Sequence, residues 1–263
     1  METPKKSLGQ HWLKDEPTLE AICEAANLVK NDTVLEIGPG LGALTEQLVK
    51  HAGKVIAVEI DGLLAARLNA QLNTDNLEVV QGDILKFDLS QLPVGYKVVA
   101  NIPYYLTSNL IRVLSESANP PARMVLLVQK EVAERLAAQP GQMSLLSVSA
   151  QLYYLPKLGP LVSAELFEPP PKVDSQVIIL KQHPKPLFGN LDTKAYFRLV
   201  KAGFAGRRKK LRGSLAAGLQ VSKEQADELL RAAKVDGNQR AQELSLNQWH
   251  DLYLAYKNFS PLP

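Results

Sequence analysis

The chain has 263 residues, 46% of them hydrophobic and 22% charged, with a formal net charge of +3 at pH 7. This length is sufficient for one large domain and a smaller second one, and this share of hydrophobic residues can fill their cores. The longest aliphatic run, Met124–Val128, is much shorter than the roughly 20 apolar residues that span a bilayer. Residues 1–6 also lack the apolar segment of a signal peptide. We therefore expect a cytoplasmic protein that does not bind membranes.

The single cysteine, Cys23, follows Leu19 and Ile22 at helical spacing. One cysteine cannot form an internal disulfide, and it cannot build a cysteine zinc cluster. We interpret Cys23 as a packed core residue in a reducing compartment, and we predict no metal site.

Residues 33–45 predict a strand, a glycine-rich turn and a helix. The apolar run 34–37 stops at glycines, and a helical pattern of leucines follows. Gly38 and Gly40 let the backbone approach a ligand where a Cβ atom would collide. The turn therefore predicts a nucleotide-like cofactor across the strand ends, although a lone glycine motif of this spacing also fits a dinucleotide.

Three acidic residues end successive predicted strands and sharpen that choice. Glu59 can accept both hydroxyls of a ribose, and Asp83 can accept from an adenine amine. Glu36 places a negative charge beside the glycine turn, which repels a pyrophosphate and attracts a sulfonium and an α-amino group. The acids therefore favour S-adenosylmethionine over NAD. The predicted cofactor site also includes Ile60 and Ile84, which follow two of these acids, and Asn101, which ends the next predicted strand.

The next predicted strand ends in the motif Asn101-Ile-Pro-Tyr104, which can hold a flat amino-substituted base. The Asn101 amide oxygen can accept from an exocyclic amine, and Pro103 holds the Ile102 carbonyl in an extended pose. Tyr104 offers an aromatic face for stacking. Hydrogen bonds from adenine N6 to the Asn101 and Ile102 oxygens would pyramidalise the amine and align its lone pair with a methyl donor. The motif predicts N-methylation of adenine without a general base.

Strand-like runs alternate with helical patterns over the first half of the chain, which is typical of a parallel sheet with helices on both faces. These runs lie at 33–37, 54–60, 77–81, 97–101 and 123–129. Two further candidate strands, around 147–153 and 173–180, are joined by a Pro-rich connection without a helix. We expect these two to form an antiparallel hairpin that closes the sheet.

Two prolines within residues 182–189 mark the predicted boundary between one domain at 1–183 and a second at 184–263. Helices are predicted in the second domain at 193–205, 209–217, 223–233 and 246–256.

The second domain carries a net charge of +7 and the first a net charge of −4. The densest basic run, here called the basic cluster, contains six cations and no acid: Lys201, Arg207, Arg208, Lys209, Lys210 and Arg212. Beside a base-binding site, this cluster predicts contacts with RNA phosphates.

In combination, these motifs resemble the bacterial small-subunit rRNA adenine dimethyltransferase family. That family is similar to the erythromycin-resistance rRNA methyltransferases and to the eukaryotic and archaeal ribosomal dimethylases. The matching stretches are Leu8-Gly-Gln-His-Trp-Leu13, Glu36–Thr45, Val58–Asp61, Gly82-Asp83, Asn101–Tyr104, Phe167–Ser175 and Phe204–Leu215.

The resemblance implies a Rossmann-like class I methyltransferase sheet of seven strands, the last one antiparallel, with a small all-helical C-terminal domain that binds RNA. It also implies that two adjacent adenines of 16S rRNA each receive two methyl groups from S-adenosylmethionine during subunit maturation. The expected partner is the immature small ribosomal subunit, and the expected oligomeric state is a monomer.

The N-terminal segment departs from the family pattern, which usually reads Gly-Gln-Asn-Phe-Leu, because this chain has His11 and Trp12. The resemblance implies that His11 and Leu13 contact the cofactor. A histidine can still donate or accept a hydrogen bond there. The sequence leaves open whether His11 uses its side chain or its backbone.

The resemblance also implies a second aromatic residue at the base site. Phe167 lies just before three consecutive prolines, which hold a chain stiffly and reduce the entropy lost on ordering it. We therefore expect the target adenine to lie between the rings of Tyr104 and Phe167.

Three alternatives remain. A large-subunit rRNA methyltransferase of the resistance type would share the catalytic motifs, although the basic helical tail is more similar to the small-subunit enzymes. A small-molecule methyltransferase would share the cofactor site but would have no use for the base-binding motif. A noncatalytic ribosome assembly factor would use the same basic surface, and this role is compatible with catalysis.

Overall fold

A computed structural model describes residues 9–103, 105–206 and 208–259. The chain divides into two compact units. The first, the sheet unit, comprises Met1–Glu134 and Tyr154–Gln182, and the second, the helical unit, comprises Arg135–Tyr153 and His183–Pro263. The chain crosses from the sheet unit to the helical unit for the last time between Gln182 and His183, next to the predicted boundary between residues 183 and 184. The segment 135–153, however, groups with the helical unit.

The sheet unit contains the strands and the helices that connect them. Its strands are β1 (Trp12–Leu13), β2 (Thr33–Ile37), β3 (Lys54–Glu59), β4 (Leu77–Gln81), β5 (Lys97–Asn101), β6 (Arg123–Gln129), β7 (Tyr154–Val162), β8 (Phe167–Glu168) and β9 (Ser175–Gln182). Its helices are α1 (Glu16–Ala26), α2 (Ala43–His51), α3 (Gly62–Gln71), α4 (Thr107–Glu116) and α5 (Lys130–Leu136), of which the last continues into the segment 135–153.

Seven of the described strands form one sheet in the order β4-β3-β2-β5-β6-β9-β7. Neighbours from β4 to β6 pair in parallel, whereas β9 runs antiparallel to both β6 and β7. The predicted seven-stranded sheet with an antiparallel last strand is therefore confirmed. The central strands are apolar along nearly their whole length because both of their faces are buried.

The order of the strands reverses between β2 and β5, which are neighbours in the sheet. Glu36 of β2 pairs with Val99 of β5, so Asn101 stands two residues closer to the carboxyl edge. Ligands of doubly wound sheets bind at the carboxyl ends of the strands where the order reverses. The fold therefore directs a ligand to the edge that carries Glu36 and Asn101.

A separate antiparallel pair joins β1 to β8. Trp12 lies opposite Glu168, and Leu13 lies opposite Phe167. Leu13 and Phe167 are both buried, and both belong to the apolar cluster of the sheet unit. The pair therefore attaches the N-terminal segment 9–14 to the Pro-rich connection between β7 and β9.

The helical unit packs around a core of its own that includes Trp249, Tyr196 and Leu215. Its helices are α6 (Leu145–Gln151), α7 (Thr193–Phe204), α8 (Leu211–Leu219), α9 (Lys223–Ala232) and α10 (Leu246–Asn258). The four helices predicted after residue 184 are confirmed, each to within two residues at either end. Over the described ranges, no helix is both long and apolar enough to cross a membrane.

The predicted strand at 147–153 is wrong, because residues 145–151 form helix α6. Ser144 caps this helix by accepting from the Ser147 N–H at 3.2 Å, and the Ser147 hydroxyl lies 2.6 Å from the Ser144 nitrogen. Val148 and Leu152, four residues apart, pack into the core of the helical unit. The closing hairpin is present, but it is formed by β7 and β9.

Candidate active site

A cavity of about 430 Å³ lies at the carboxyl ends of β2, β3, β4 and β5. Each of the residues predicted to bind the cofactor lines it: His11, Leu13, Glu36, Gly38, Gly40, Glu59, Ile60, Asp83, Ile84 and Asn101. Two predicted catalytic residues, Ile102 and Pro103, also line it. The fold thus brings residues from the N-terminal segment and from four strand ends into one cavity.

The turn after β2 presents bare backbone to this cavity. Gly38 and Gly40 have φ angles of 65° and 60°, in the left-handed region that other residues rarely adopt. A Cβ atom at Gly40 would lie 3.1 Å from the indole ring of Trp12, so the ring lies directly against the backbone. At Gly38, no described heavy atom lies within 4 Å of the position a Cβ would take. A ligand can therefore approach the backbone closely at Gly38.

The carboxylate of Glu59 is buried and held by two backbone groups. Its Oε2 accepts from the Gly40 N–H at 3.1 Å, and its Oε1 accepts from the Asp61 N–H at 2.9 Å. Burial raises the pKa of Glu59, and these hydrogen bonds oppose the rise. They also fix the carboxylate beside the glycine turn, where its remaining lone pairs can accept ligand hydroxyls.

Asp83 follows β4, and one of its carboxylate oxygens is hydrogen-bonded to the backbone. Its Oδ1 accepts from the Leu85 N–H at 3.0 Å and caps a short helical turn. Ile60, which is 52% exposed, and the buried Ile84 contribute apolar surface to the same cavity. A half-buried carboxylate together with apolar side chains suits the polar edge and the flat faces of a purine.

Glu36 is the most deeply buried carboxyl group of the cavity. It is 1% exposed, and its Oε2 has no hydrogen-bond partner among the described residues. Burial raises the pKa of Glu36 to about 8; the Thr45 hydroxyl opposes this rise, and the Glu59 carboxylate adds to it. A buried carboxyl group with so high a pKa favours a cationic ligand, because a cation stabilises its ionised form.

Asn101 and His11 are hydrogen-bonded to each other. The side-chain Nδ2 of Asn101 donates to the backbone carbonyl of His11 at 3.1 Å. The ring Nδ1–H of His11 donates to the carbonyl of Pro169 at 2.7 Å. The backbone of His11 therefore orients Asn101, while its ring attaches the N-terminal segment to the Pro-rich connection.

The structure does not place Phe167 in the cavity. This ring is 4% exposed, pairs with Leu13 and packs into the core of the sheet unit. The predicted position of Phe167 at the cleft is therefore wrong, since the β1–β8 pairing directs the ring inward. Its predicted stacking partner, Tyr104, lies outside the described residues.

Several residues that the sequence did not single out also line the cavity. They include Gly9, Gln10, Trp12, Lys14, Pro39, Tyr105 and Leu106. Trp12 lies between two predicted cofactor contacts, and Tyr105 directly follows the Asn-Ile-Pro-Tyr motif. Adjacency to a motif is the signal that could have identified these two residues. It does not, however, predict whether a side chain is exposed.

The basic cluster lies in the helical unit, at and before the start of α8. Its described members are all exposed: Lys201, Arg208, Lys209, Lys210 and Arg212. Arg207 lies outside the described residues. Lys210 donates to Asn238 at 2.8 Å, and Arg212 lies 3.6 Å from Asp227. The surface therefore combines partly paired cations with others that can reach phosphates.

Two solved structures have the same fold over most of the chain. The 23S rRNA methyltransferase ErmE is 29% identical with a TM-score of 0.75, and the match covers 94% of this chain and 99% of that one. A dimethyladenosine transferase from Plasmodium falciparum is 28% identical with a TM-score of 0.80, and the match covers 94% and 98%.

Curated relatives are more similar in sequence. The ribosomal RNA small subunit methyltransferase A of Dehalococcoides mccartyi is 41% identical over 256 residues, which cover 96% of this chain and 88% of that protein. The enzyme of the same name from Synechocystis is 40% identical and covers 98% of both. The sequence profile of the family "Ribosomal RNA adenine dimethylase" matches residues 1–258. The chain therefore belongs to the ribosomal RNA adenine dimethylase family.

Proposed function

We propose that this protein transfers methyl groups from S-adenosylmethionine to N6 of two adjacent adenines in small-subunit (16S) rRNA, giving N6,N6-dimethyladenosine. The observation that carries the proposal is the orientation of Asn101 in the cavity. Its amide nitrogen donates to the His11 carbonyl, so its oxygen remains to accept from an amine. The near-full-length similarity to small-subunit rRNA methyltransferases supports the choice of substrate.

The residues of the cavity fit S-adenosylmethionine. The open backbone at Gly38 allows close approach, Glu59 presents fixed acceptors for a ribose, and Asp83 can accept from the adenine amine. Glu36 is a buried acid whose Oε2 has no hydrogen-bond partner within the described part of the chain, which suits the positive charges of the methionine moiety. When bound, S-adenosylmethionine supplies an electrophilic methyl group on its sulfonium.

The chain's own residues act on the nucleophile. The lone pair of adenine N6 is delocalised into the ring, so the amine is a poor nucleophile until it becomes pyramidal. Hydrogen bonds to the Asn101 Oδ1 and to the Ile102 carbonyl favour that geometry and orient the lone pair. Asn101 cannot rotate freely, because its nitrogen is bound to His11. A general base is not required, since the proton can leave after the methyl group has transferred.

Recognition of the RNA is assigned to the helical unit. The exposed cations of the basic cluster can bind phosphates, with arginine doing so through two parallel hydrogen bonds. The proposed partner is the immature small ribosomal subunit, which a monomer of this protein would bind in the cytoplasm. An assembly-factor role is included in this proposal, because an enzyme that binds an immature subunit also occupies it.

A methyl-transfer assay tests the function. Purified protein and S-adenosylmethionine with a labelled methyl group are incubated with undermethylated small subunits, with large subunits or with protein-free rRNA. We expect label in small subunits, and digestion to nucleosides should yield N6,N6-dimethyladenosine. Label only in large subunits would instead favour an activity of the resistance type. Absence of label from all three, with retained subunit binding, would favour a noncatalytic assembly factor.

A further inference from the structure

Tyr105 is exposed to an extent that distinguishes it from the other aromatic side chains. Its side chain is 66% exposed, although it lines the cavity. Every other described Phe, Tyr or Trp is buried or half-buried, and the other large exposed apolar residues are aliphatic. An aromatic ring left exposed at a binding cavity is a candidate contact for a flat ligand.

The backbone holds Tyr105 at a defined position. The Leu106 N–H donates to the Pro103 carbonyl at 2.9 Å, which fixes these two residues relative to each other on either side of Tyr105. Helix α4 starts at Thr107, and its buried Thr107 and Leu110 fix the start of the helix against the sheet unit. A Cβ atom at Gly9 would lie 3.5 Å from the Tyr105 ring. The ring therefore rests partly on the N-terminal segment, while most of it remains open to solvent.

The position of Tyr105 separates it from the two carboxylates assigned to the ribose and the adenine of the cofactor. Glu59 ends β3 and Asp83 follows β4, whereas Tyr105 follows β5 on the other side of β2. Tyr105 also lies four residues after Asn101, whose amide oxygen is proposed to accept from the target amine and which is also a predicted cofactor contact. The ring is thus on the same side of β2 as Asn101, at the end of β5.

We propose that Tyr105 stacks on the base that adjoins the target adenine in the substrate RNA. This inference rests on the proposed function and adds a contact that positions the RNA. Base stacking on an aromatic ring tolerates any base, because every base has a π face. Tyr105 therefore contributes to holding the strand while the target adenine lies beside Asn101.

Three variants test this role. Tyr105→Phe keeps the ring, Tyr105→Leu keeps apolar bulk without a π face, and Val94→Ala changes an exposed apolar residue outside the cavity lining. With undermethylated small subunits, we expect Tyr105→Leu to raise KM by about 5- to 150-fold, as for loss of one stacked base. We expect Tyr105→Phe and Val94→Ala to remain within about twofold of wild type, and cofactor affinity by calorimetry to stay unchanged in all three.

A binding measurement provides a readout that does not depend on turnover. An rRNA fragment with 2-aminopurine beside the target adenine should lose fluorescence on binding wild type and Tyr105→Phe, but much less on binding Tyr105→Leu. Equal quenching and equal KM in Tyr105→Leu and wild type would overturn the inference. Weaker cofactor binding by Tyr105→Leu would also overturn it, by assigning the ring to the cofactor. If wild type transferred no methyl group, the proposed function would fail, while the quenching would still decide the role of Tyr105.

Discussion

The side-chain nitrogen of Asn101 donates to the main-chain carbonyl of His11 at 3.1 Å. A carbonyl can only accept, so it selects the NH₂ end of the amide and turns the Oδ1 end away from itself. The two residues lie 90 positions apart in sequence, and the bond forms only when the N-terminal segment is in place. The orientation of the amide proposed to be catalytic therefore depends on the backbone of His11, to which no catalytic role is assigned.

Removal of this amide should abolish most of the chemistry. We expect Asn101→Ala to reduce the methyl-transfer rate by about 10²- to 10³-fold at saturating cofactor, the usual effect of deleting one preorganised hydrogen-bond partner of a transition state. Binding to small subunits should change little. Single-turnover kinetics measure the rate, and an Asn101→Ala enzyme as fast as wild type would remove the catalytic role from this residue.

Asn101→Asp provides the control for orientation. The carboxylate retains an acceptor but cannot donate to the His11 carbonyl, so two oxygens would face each other. We expect a loss of rate comparable to that of Asn101→Ala. Full activity in Asn101→Asp would show that the hydrogen bond to His11 is dispensable.

Asp83→Ala should weaken S-adenosylmethionine binding by about 1–3 kcal/mol, the usual cost when a bound donor group is left without its hydrogen-bond acceptor. Asp83→Asn is the matched control, because its side-chain oxygen can still cap the turn at Leu85. Calorimetry with both variants separates loss of the ligand contact from loss of the cap. Equal affinity in Asp83→Ala and wild type would withdraw Asp83 from the cofactor site.

Glu36 should make stability depend on pH. Its pKa is about 8 in the folded protein against 4.5 as the ordinary value, so the native state keeps a proton that the unfolded state loses. The contribution of Glu36 to the free energy of unfolding is fully present below pH 4.5 and decreases as the pH rises to about 8. We expect Glu36→Gln, compared with wild type, to gain stability over that range, by about 3 kcal/mol at pH 7. Urea unfolding at pH 5, 7 and 8.5 measures the difference.

Cofactor binding provides the second readout for Glu36. A cationic ligand favours the ionised carboxylate, so below pH 8 binding must release the Glu36 proton. We expect wild-type affinity for S-adenosylmethionine to rise from pH 6 to pH 8, and the affinity of Glu36→Gln to be lower and less dependent on pH. Parallel pH profiles for the two proteins would contradict this coupling.

Charge reversal in the basic cluster should separate docking from chemistry. We expect Arg207, Arg208 and Lys209, all changed to Glu, to abolish binding to rRNA and leave cofactor affinity intact. The control makes the same charge change at three exposed lysines outside the cluster, namely Lys185, Lys223 and Lys257. Wild-type affinity should also fall steeply with salt as counterions are released. A flat salt dependence, or equal losses in both triple variants, would remove the cluster from the RNA interface.

Phe167 should act through packing. We expect Phe167→Ala to lower the free energy of unfolding by about 3–5 kcal/mol, the usual cost of emptying a buried aromatic site. Phe167→Leu should keep most of the stability and transfer methyl groups at nearly the wild-type rate. A stable Phe167→Leu enzyme with a large loss of rate would restore the stacking role that the sequence predicted.

The strands of the sheet and the acids of the cavity could be predicted because both depend on local pattern. Buried parallel strands are continuous apolar runs, and the residues that end them meet at one edge whatever the connecting helices do. For this reason Glu36, Glu59 and Asp83 line one cavity. The pattern at 147–153 is ambiguous, because a short alternation of serine and apolar residues fits a strand as well as a capped helix with one buried face.

The orientation of Phe167 could not be predicted for a different reason. In an extended segment, successive side chains point to opposite faces, and a shift of one residue in register exchanges them. The register of β8 is set by its pairing with β1, at the other end of the sheet unit's sequence. No pattern within residues 167–172 carries that information.

The attachment of the N-terminal segment also constrains the order of events during synthesis. His11 leaves the ribosome before its ring partner, Pro169, which follows 158 residues later. At about 5–20 residues per second, that separation amounts to roughly 8–30 s. One wall of the cavity therefore cannot close on the nascent chain until β8 has emerged, and a chain arrested before residue 167 should fail to retain the methyl donor.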